Sequence, residues 1–455
     1  MLDHLIGAAA SSAFGGGQQP GTQGHRAYEI RNLPPAYLQD GLEIVEVQFY
    51  ESLLGLNIAG QAVASASEMD PTRPPAFAID GNPDTMSAGA DNATNARPYR
   101  FRLTFPDKRA LHHLNLVRGG QSFRFFKQLE IWASDTPDDD ASWARLYHTE
   151  FLDIFGEVSL YVTNRLWYVE WSDGGTDFSC IAHLFLRDDA DVDHAIGGTW
   201  TTANNENRFT AAQGVQNLAL QNQPAFIYGC RGTTGLVAYT PSTDFDCTKI
   251  DLAALDEVNA GSVAGDAAKY TPLTLRVSYS LDGGQTRVPA WSCGSPREFA
   301  AGEVRRFYHP KYLARIRLDF GPSQGDQFTG WDRVRIKRRD GTYLDSKIVS
   351  ITASSTLSRM YHPVYVNDAN PDRIWASSAA GGPNPTWMEF AVLLADLPEI
   401  GGVEVTAWTT VPALAASSIK ISVDTGAGYQ DVPGASWSGY ANFGPGETRT
   451  FNVAG

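Results

Sequence analysis

Residues 63–89 read Val-Ala-Ser-Ala-Ser-Glu-Met-Asp-Pro-Thr-Arg-Pro-Pro-Ala-Phe-Ala-Ile-Asp-Gly-Asn-Pro-Asp-Thr-Met-Ser-Ala-Gly, and the reading of this stretch decides the fold. A run of small and β-branched residues ends in a polar segment, and Pro74-Pro75 then leads into an Asp-Gly-Asn-Pro turn. That is how a strand running into a tight loop is written. Asp80, Asn82, Asp84 and Thr85 crowd carboxylate, amide and hydroxyl oxygens onto the turn, while Gly81 is free to take a positive φ and Pro83 fixes its own. The turn is either a structural corner or a weak oxygen-ligand site for a cation such as Ca²⁺.

The stretch recurs. Ile351-Thr-Ala-Ser-Ser-Thr, followed by His362-Pro-Val-Tyr-Val-Asn-Asp-Ala-Asn-Pro-Asp-Arg-Ile-Trp375, repeats it, and a fainter copy runs Trp200-Thr-Thr-Ala-Asn-Asn, then Ala212-Gln-Gly-Val-Gln-Asn217. Downstream, Leu275-Arg-Val-Ser-Tyr-Ser-Leu-Asp-Gly-Gly-Gln-Thr-Arg-Val-Pro289 matches Ile419-Lys-Ile-Ser-Val-Asp-Thr-Gly-Ala-Gly-Tyr-Gln-Asp-Val-Pro433. Pro289 to Gly302 and Pro433 to Gly446 span the same distance, so residues and gap repeat together. These segments alternate apolar and polar residues between glycines, as half-buried antiparallel strands do. Helix signals are short, at 252–258 and 391–397. The expected fold class is all-β: three tandem jelly-roll β-sandwich modules behind an N-terminal extended arm.

Ala64-Ser-Ala-Ser67 with Ala78-Ile-Asp-Gly-Asn-Pro-Asp-Thr85 resembles the opening signature of discoidin-like domains, the coagulation-factor C-type modules of the galactose-binding jelly-roll superfamily. Gln128-Leu-Glu-Ile-Trp-Ala-Ser-Asp135 followed by Trp143 is similar to that family's strand, Ser-Asp turn and Trp, although Met86 and Ser87 stand where the family places a Trp after Asp-Thr. The resemblance covers roughly residues 60–187 and implies a jelly roll, with a structural Ca²⁺ at Asp80, Asn82, Asp84 and Thr85. The copy at Asp368, Asn370 and Asp372 has Ala369 in place of the glycine.

The expected divisions are an assembly arm over 1–25, a first module with a leading hairpin over 26–187, a degenerate second module over 188–345 and a third over 346–455. An aromatic-Arg strand followed by a second strand recurs at 166–186 and 312–336 and at the front, Tyr28-Glu-Ile-Arg31 with Ile44-Val-Glu-Val-Gln-Phe49. Taken as the last strand pair of each module, it is missing after the third. The front pair is then expected to supply it, in cis or from a neighbouring subunit.

Composition narrows the function. At 455 residues, with 43% hydrophobic residues, 43 Gly and 25 Pro, the chain is folded and turn-rich. A formal charge of −15 argues against nucleic-acid binding, and the basic run Arg333-Val-Arg-Ile-Lys-Arg-Arg339 alternates as one face of a strand. No run of 18 apolar residues crosses a membrane. Cys180, Cys230, Cys247 and Cys293 lack zinc spacing and read as buried thiols of a chain made in a reducing cytoplasm, with a Cys230–Cys247 bond left open. The Gly/Ala/Ser-rich start lacks the basic region of a secretory signal and reads as an arm that orders against a partner.

No nucleophile, zinc or phosphate-loop motif is present, and the expectation is a protein that is not an enzyme. Ser280-Leu-Asp-Gly-Gly-Gln-Thr286 reads as a hairpin turn and His112-His113 as structural. Trp291, Trp387 and Trp437 lie near loops and are the candidates for stacking on sugar faces, against the commoner outcome that such rings pack in cores. An arm followed by such modules resembles bacteriophage tail proteins. That resemblance implies a virion structural subunit of a tail fibre, spike or baseplate, its partners being other tail proteins, copies of itself and host-surface glycans. The competing class is a free carbohydrate-binding lectin, or accessory glycan-binding modules of a glycan-degrading system.

Overall fold

A computed structural model describes residues 24–32, 43–67, 70–88, 99–118, 129–149, 157–172, 178–202, 228–231, 234–254, 270–281, 283–284, 286–325, 328–357, 359–367, 373–377 and 386–454. The chain is all-β, with antiparallel sheets joined by turns and single 3-10 turns. The expected arm precedes the first described strand, and residues 1–23 lie outside the described residues.

Nine strands come first: β1 (His25–Asn32), β2 (Glu43–Tyr50), β3 (Val63–Ala66), β4 (Ser87–Ala88), β5 (Arg100–Arg109), β6 (His113–Arg118), β7 (Leu129–Ser134), β8 (Ala144–His148) and β9 (Glu157–Tyr161). They form a sheet in the order β3-β5-β1-β7-β8 and a second in the order β4-β2-β6-β9. Alternation along β1 explains the layering. Tyr28 and Ile30 point inward with Phe101, Leu103 and Ile131, and meet Val47, Phe49, Leu114, Leu116 and Leu160 of the other sheet.

The same order then returns. Next come β10 (Leu166–Ser172), β11 (Phe178–Ile181), β12 (His183–Arg187), β13 (Thr199–Thr202), β14 (Tyr228–Arg231), β15 (Gly235–Thr240), β16 (Lys249–Ala253), β17 (Thr274–Ser280), β18 (Val288–Gly294) and β19 (Val304–Tyr308). They give β13-β15-β10-β17-β18 against β12-β16-β19, with β11-β14 beside them. Last are β20 (Leu313–Phe320), β21 (Gly330–Trp331), β22 (Arg333–Arg338), β23 (Ile348–Ala353), β24 (Trp375–Ala376), β25 (Thr386–Leu393), β26 (Ile400–Thr406), β27 (Ser418–Asp424), β28 (Gln430–Ser438) and β29 (Thr448–Asn452). These give β23-β25-β20-β27-β28 against β22-β26-β29, with β21-β24 beside them.

The recurrent aromatic-Arg strand opens each set of sheets; it does not close one. β1 lies between β5 and β7, β10 between β15 and β17, and β20 between β25 and β27. The front pair therefore completes its own sheets, and the third set already holds β20 and β22, so strand donation from the front to the end falls away. The divisions expected at 187 and 345 fall inside hydrogen-bonded sets, because β12 pairs with β16 and β22 with β26. The segments 252–258 and 391–397 are not helical where described. Leu252 sits in β16, and Ala391 in β25 before a 3-10 turn at Leu394–Asp396, because pairing across a sheet overrides weak local propensity.

Successive sets are tightly joined. β9 ends at Tyr161 and β10 begins at Leu166; β19 ends at Tyr308 and β20 begins at Leu313. Across the first junction, Tyr147 Oη lies 2.5 Å from Thr240 Oγ1, and Asn164 donates to the Pro241 carbonyl at 2.7 Å. Across the second, Gly294 N donates to Ser350 Oγ, and Val364 and Tyr365 of the 3-10 turn Pro363–Asn367 are buried in the core of the preceding set.

Candidate functional site

The Asp80 turn follows a 3-10 turn at Pro75–Ala78, whose Pro75 and Ala78 are buried while the turn itself faces solvent. Asp80 Oδ1 accepts from Asn82 N at 2.8 Å, and Asn82 Oδ1 accepts from Asp84 N at 3.1 Å. The Thr85 hydroxyl is 2.9 Å from both Asp80 Oδ2 and the Asn82 carbonyl, so its single proton serves one of them at a time. Gly81 takes φ +74°, a conformation that an L side chain resists, and nothing crowds the space around it. The four residues named from sequence are therefore brought together, each closing the turn on itself.

Beside the turn, β2 contributes Glu46, a residue that sequence reading passed over. It is 6% exposed, and its Oε1 is buried with no hydrogen-bond partner. Burial, then the neighbouring Asp80 carboxylate, push its pKa up, against the pull of the Gly81 amide. A cation here would satisfy the orphan oxygen. The oxygens beside it that could take such an ion are those of the Asp80 carboxylate, hard donors of the kind Ca²⁺ takes. The signal in the sequence was faint, since Glu46 is one acid on an alternating strand. The matching turn at Asp368, Asn370 and Asp372 lies outside the described residues.

The tryptophans separate. Trp291 is 6% exposed, stands in the second core and donates Nε1 to the Cys247 carbonyl at 2.9 Å, which withdraws it from the sugar-stacking candidates. Its position on an inward-facing register of β18 is the reason. Trp437 is half-buried against Phe451, with ring centroids 5.6 Å apart. Trp387 is half-buried on the outer face of its sheet, with the Arg317 guanidinium 4.9 Å from its ring centroid and Tyr429 under the same guanidinium at 5.4 Å.

The first set carries a related surface. Arg31 lies 4.1 Å from the Trp132 ring and 5.7 Å from Trp143, and Arg102 lies 4.8 Å from Trp143, a ladder of alternating rings and guanidinium groups. Beneath it Glu29, 1% exposed, accepts from Arg31 at 2.6 Å and from Arg102 at 2.9 Å. The cations cover the carboxylate and the rings cover the cations. Individual strands show only alternation; the ladder needs β1, β5, β7 and the turn before β8 side by side.

A second acidic run, Asp188-Asp-Ala-Asp-Val-Asp193, has the look of a cation loop but is neutralised by lysine and arginine. Asp189 pairs with Lys311 at 2.7 Å and Tyr312 at 2.5 Å; Asp191 pairs with Arg306 at 2.9 Å and Lys249 at 3.1 Å. Those hydrogen bonds hold both carboxyls below the usual carboxylate range. Cys247 and Cys293 are buried as free thiols, burial pushing both up, and the Cys230 side chain lies outside the described residues. Ser280 Oγ accepts from Gly284 N at 2.8 Å and closes the hairpin between β17 and β18.

No family model matches this chain, and no curated protein matches it. Among solved structures, the C-terminal domain of the AgI/II polypeptide BspA of Streptococcus agalactiae is similar at 8% identity over 58% of this chain and 81% of that one. Its TM-score is 0.09, too low to carry an argument.

Among the described residues no group of three or more His, Cys, Asp or Glu converges as a metal cluster, and no helix is long and apolar enough to cross a membrane. What the surfaces can do chemically is stack and hydrogen-bond. Arg317, Trp387 and Tyr429 offer flat faces beside the Glu389 carboxylate, which accepts from the Tyr429 hydroxyl.

Proposed function

We propose that this protein is a non-enzymatic structural subunit of a bacteriophage virion, a stiff β-sheet spacer in a tail fibre, spike or baseplate, made in the host cytoplasm. The observation that carries the reading is the pair of short junctions with side chains locked across them. A chain that had only to display independent binding modules gains nothing from burying Val364 and Tyr365 in the preceding core. A spacer that must hold direction does. The front arm would dock on other tail or baseplate proteins, and Trp387 and Trp437 would meet host-surface glycans.

The test is the intact mass in solution of the full-length chain and of a chain beginning at Gly24, just before β1. An assembly subunit is oligomeric when full-length and smaller without its arm. A stable full-length monomer with glycan-hydrolysing activity contradicts the reading.

The half-exposed Arg317, Trp387 and Tyr429 face favours a second reading, a free carbohydrate-binding protein. It would bind sugar as a monomer, and Trp387→Ala would abolish that binding.

A further inference from the structure

The outer face of the first sheet carries charge of the opposite sign to the whole chain. The alternation that sends Tyr28 and Ile30 of β1 into the core sends Glu29 and Arg31 outward, beside Arg100 and Arg102 of β5, Glu130 and Trp132 of β7 and Arg145 of β8. Among the described residues of this face four arginines meet two carboxylates, a net charge of +2, on a chain whose formal charge is −15.

Both carboxylates are already occupied. Glu29 Oε1 accepts from Arg31 Nε at 2.6 Å and its Oε2 from Arg102 at 2.9 Å, while Glu130 accepts from Arg145 and, at 2.8 Å, from Trp132 Nε1. Two donors are left over. The Arg100 Nε is 3.9 Å from Glu29, beyond hydrogen-bond reach, and its side chain is 40% exposed. Trp143 is 7% exposed, has the Arg102 and Arg31 guanidinium groups 4.8 and 5.7 Å from its ring, and its Nε1 has no partner. Arg100 also stands directly opposite Arg31 in the β1–β5 register, a like-charge pairing that costs stability and that an added anion relieves. What this part of the face lacks is an acceptor with negative charge.

We propose that this face binds an acidic polysaccharide, a carboxylate or sulfate of the ligand pairing with Arg100 and a neighbouring sugar ring lying on Trp132. Arg31 takes one face of Trp132, 4.1 Å from its centroid, and the ring stays half-exposed. β5 and β7 lie two strand spacings apart, about 10 Å, so a ligand that reaches both residues is a chain of sugars and not one ring. The guanidinium fork holds such an anion through two parallel donors, so the site asks for arginine and not for positive charge alone. This names the class of glycan for the adhesion part of the reading above and rests on it.

Isothermal titration of the full-length protein with oligogalacturonate, with dextran sulfate and with neutral dextran tests this. Binding is expected for an acidic polymer and not for dextran, weakening as salt is raised. A preference for oligogalacturonate assigns the anion as a carboxylate, and a preference for dextran sulfate assigns it as a sulfate. Arg100→Ala and Trp132→Ala are each expected to weaken binding about tenfold, and Arg100→Lys nearly as much. Without ligand, Arg100→Ala should hold or raise the melting temperature, because the like-charge pair is gone. Arg276→Ala removes an exposed arginine from β17 of the second set and should leave affinity unchanged.

Equal losses at Arg100 and Arg276, or full binding by Arg100→Lys, would mark simple ion exchange and overturn the proposal. So would failure of both acidic polymers to bind. Self-association that Arg100→Ala abolishes, in a protein that binds neither polymer, overturns it in favour of an acidic stretch of a second copy. The mass of the full-length chain against that of the chain beginning at Gly24 is read separately, so the subunit reading can stand while this site falls.

Discussion

The backbone amide of Gly294 donates to the Ser350 hydroxyl at 3.0 Å, joining the end of β18 to the edge of the next set of sheets at β23. A Cβ at position 294 would run into the Ile351 carbonyl oxygen, so glycine is required there by close approach and not by its φ. Gly294→Val is expected to open the junction and cost about 2 kcal/mol or more, splitting one thermal transition into two by calorimetry. Ser350→Ala should cost about 1 kcal/mol and leave a single transition.

The Glu29 carboxylate is buried beneath Arg31 and Arg102. Glu29→Ala takes the buried counter-charge from Arg31, Arg102 and the more distant Arg100 and is expected to destabilise by about 3 kcal/mol, read from denaturant midpoints. Arg31→Lys keeps the charge but loses the flat stack on Trp132 and should cost about 1 kcal/mol.

Acid sensitivity divides into two windows. Burial, then the neighbouring His112, lower the His113 pKa from 6.5 to about 4, with the ring stacked on Tyr50 at 4.4 Å and on Tyr161 at 5.0 Å. Between those values the unfolded chain binds the extra proton, so this stability is full above about pH 6.5 and is lost as pH falls toward 4. His113→Phe should remove that slope, about 3 kcal/mol at its largest.

Glu130 works lower. Burial raises its pKa, but the His148 ring 3.5 Å away and hydrogen bonds from Arg145 and Trp132 outweigh it and hold the carboxyl at about 2. Its stabilisation is present above about pH 4.5 and disappears as pH falls to 2. Glu130→Gln should flatten stability across that lower window alone, measured by melting temperature against pH.

If the Asp80 turn takes Ca²⁺, adding the ion raises the melting temperature in proportion to the logarithm of its concentration. Glu46→Gln, which leaves the turn's own hydrogen bonds intact, should abolish the rise, and isothermal titration with CaCl₂ reads the same loss directly.

Much of the architecture was legible from sequence because it repeats. Strand alternation and the matched Pro-to-Gly spacing gave the all-β class and the β17–β18 and β27–β28 hairpins. The phase of the repeat was not legible. An aromatic-Arg strand such as Leu166–Ser172 reads equally well as the end of one set or the start of the next, and only pairing with β15 and β17 decides. The Asp80 turn was legible because its residues are consecutive. Glu46, the Trp132–Arg31–Trp143–Arg102 ladder and the lysines and arginines that neutralise Asp189 and Asp191 were not, since they meet only through sheet packing or from positions far along the chain. Trp291 looked like a loop residue beside Val288-Pro289, yet its strand register turned it into the core.

The most direct test of the structural-subunit account is light scattering on the full-length protein beside the chain beginning at Gly24. A structural subunit has a full-length mass above that of one chain even at low concentration, and its truncated chain falls to a monomer on dilution. A full-length protein that is a monomer at every concentration, and that binds glycan in that state, would contradict it.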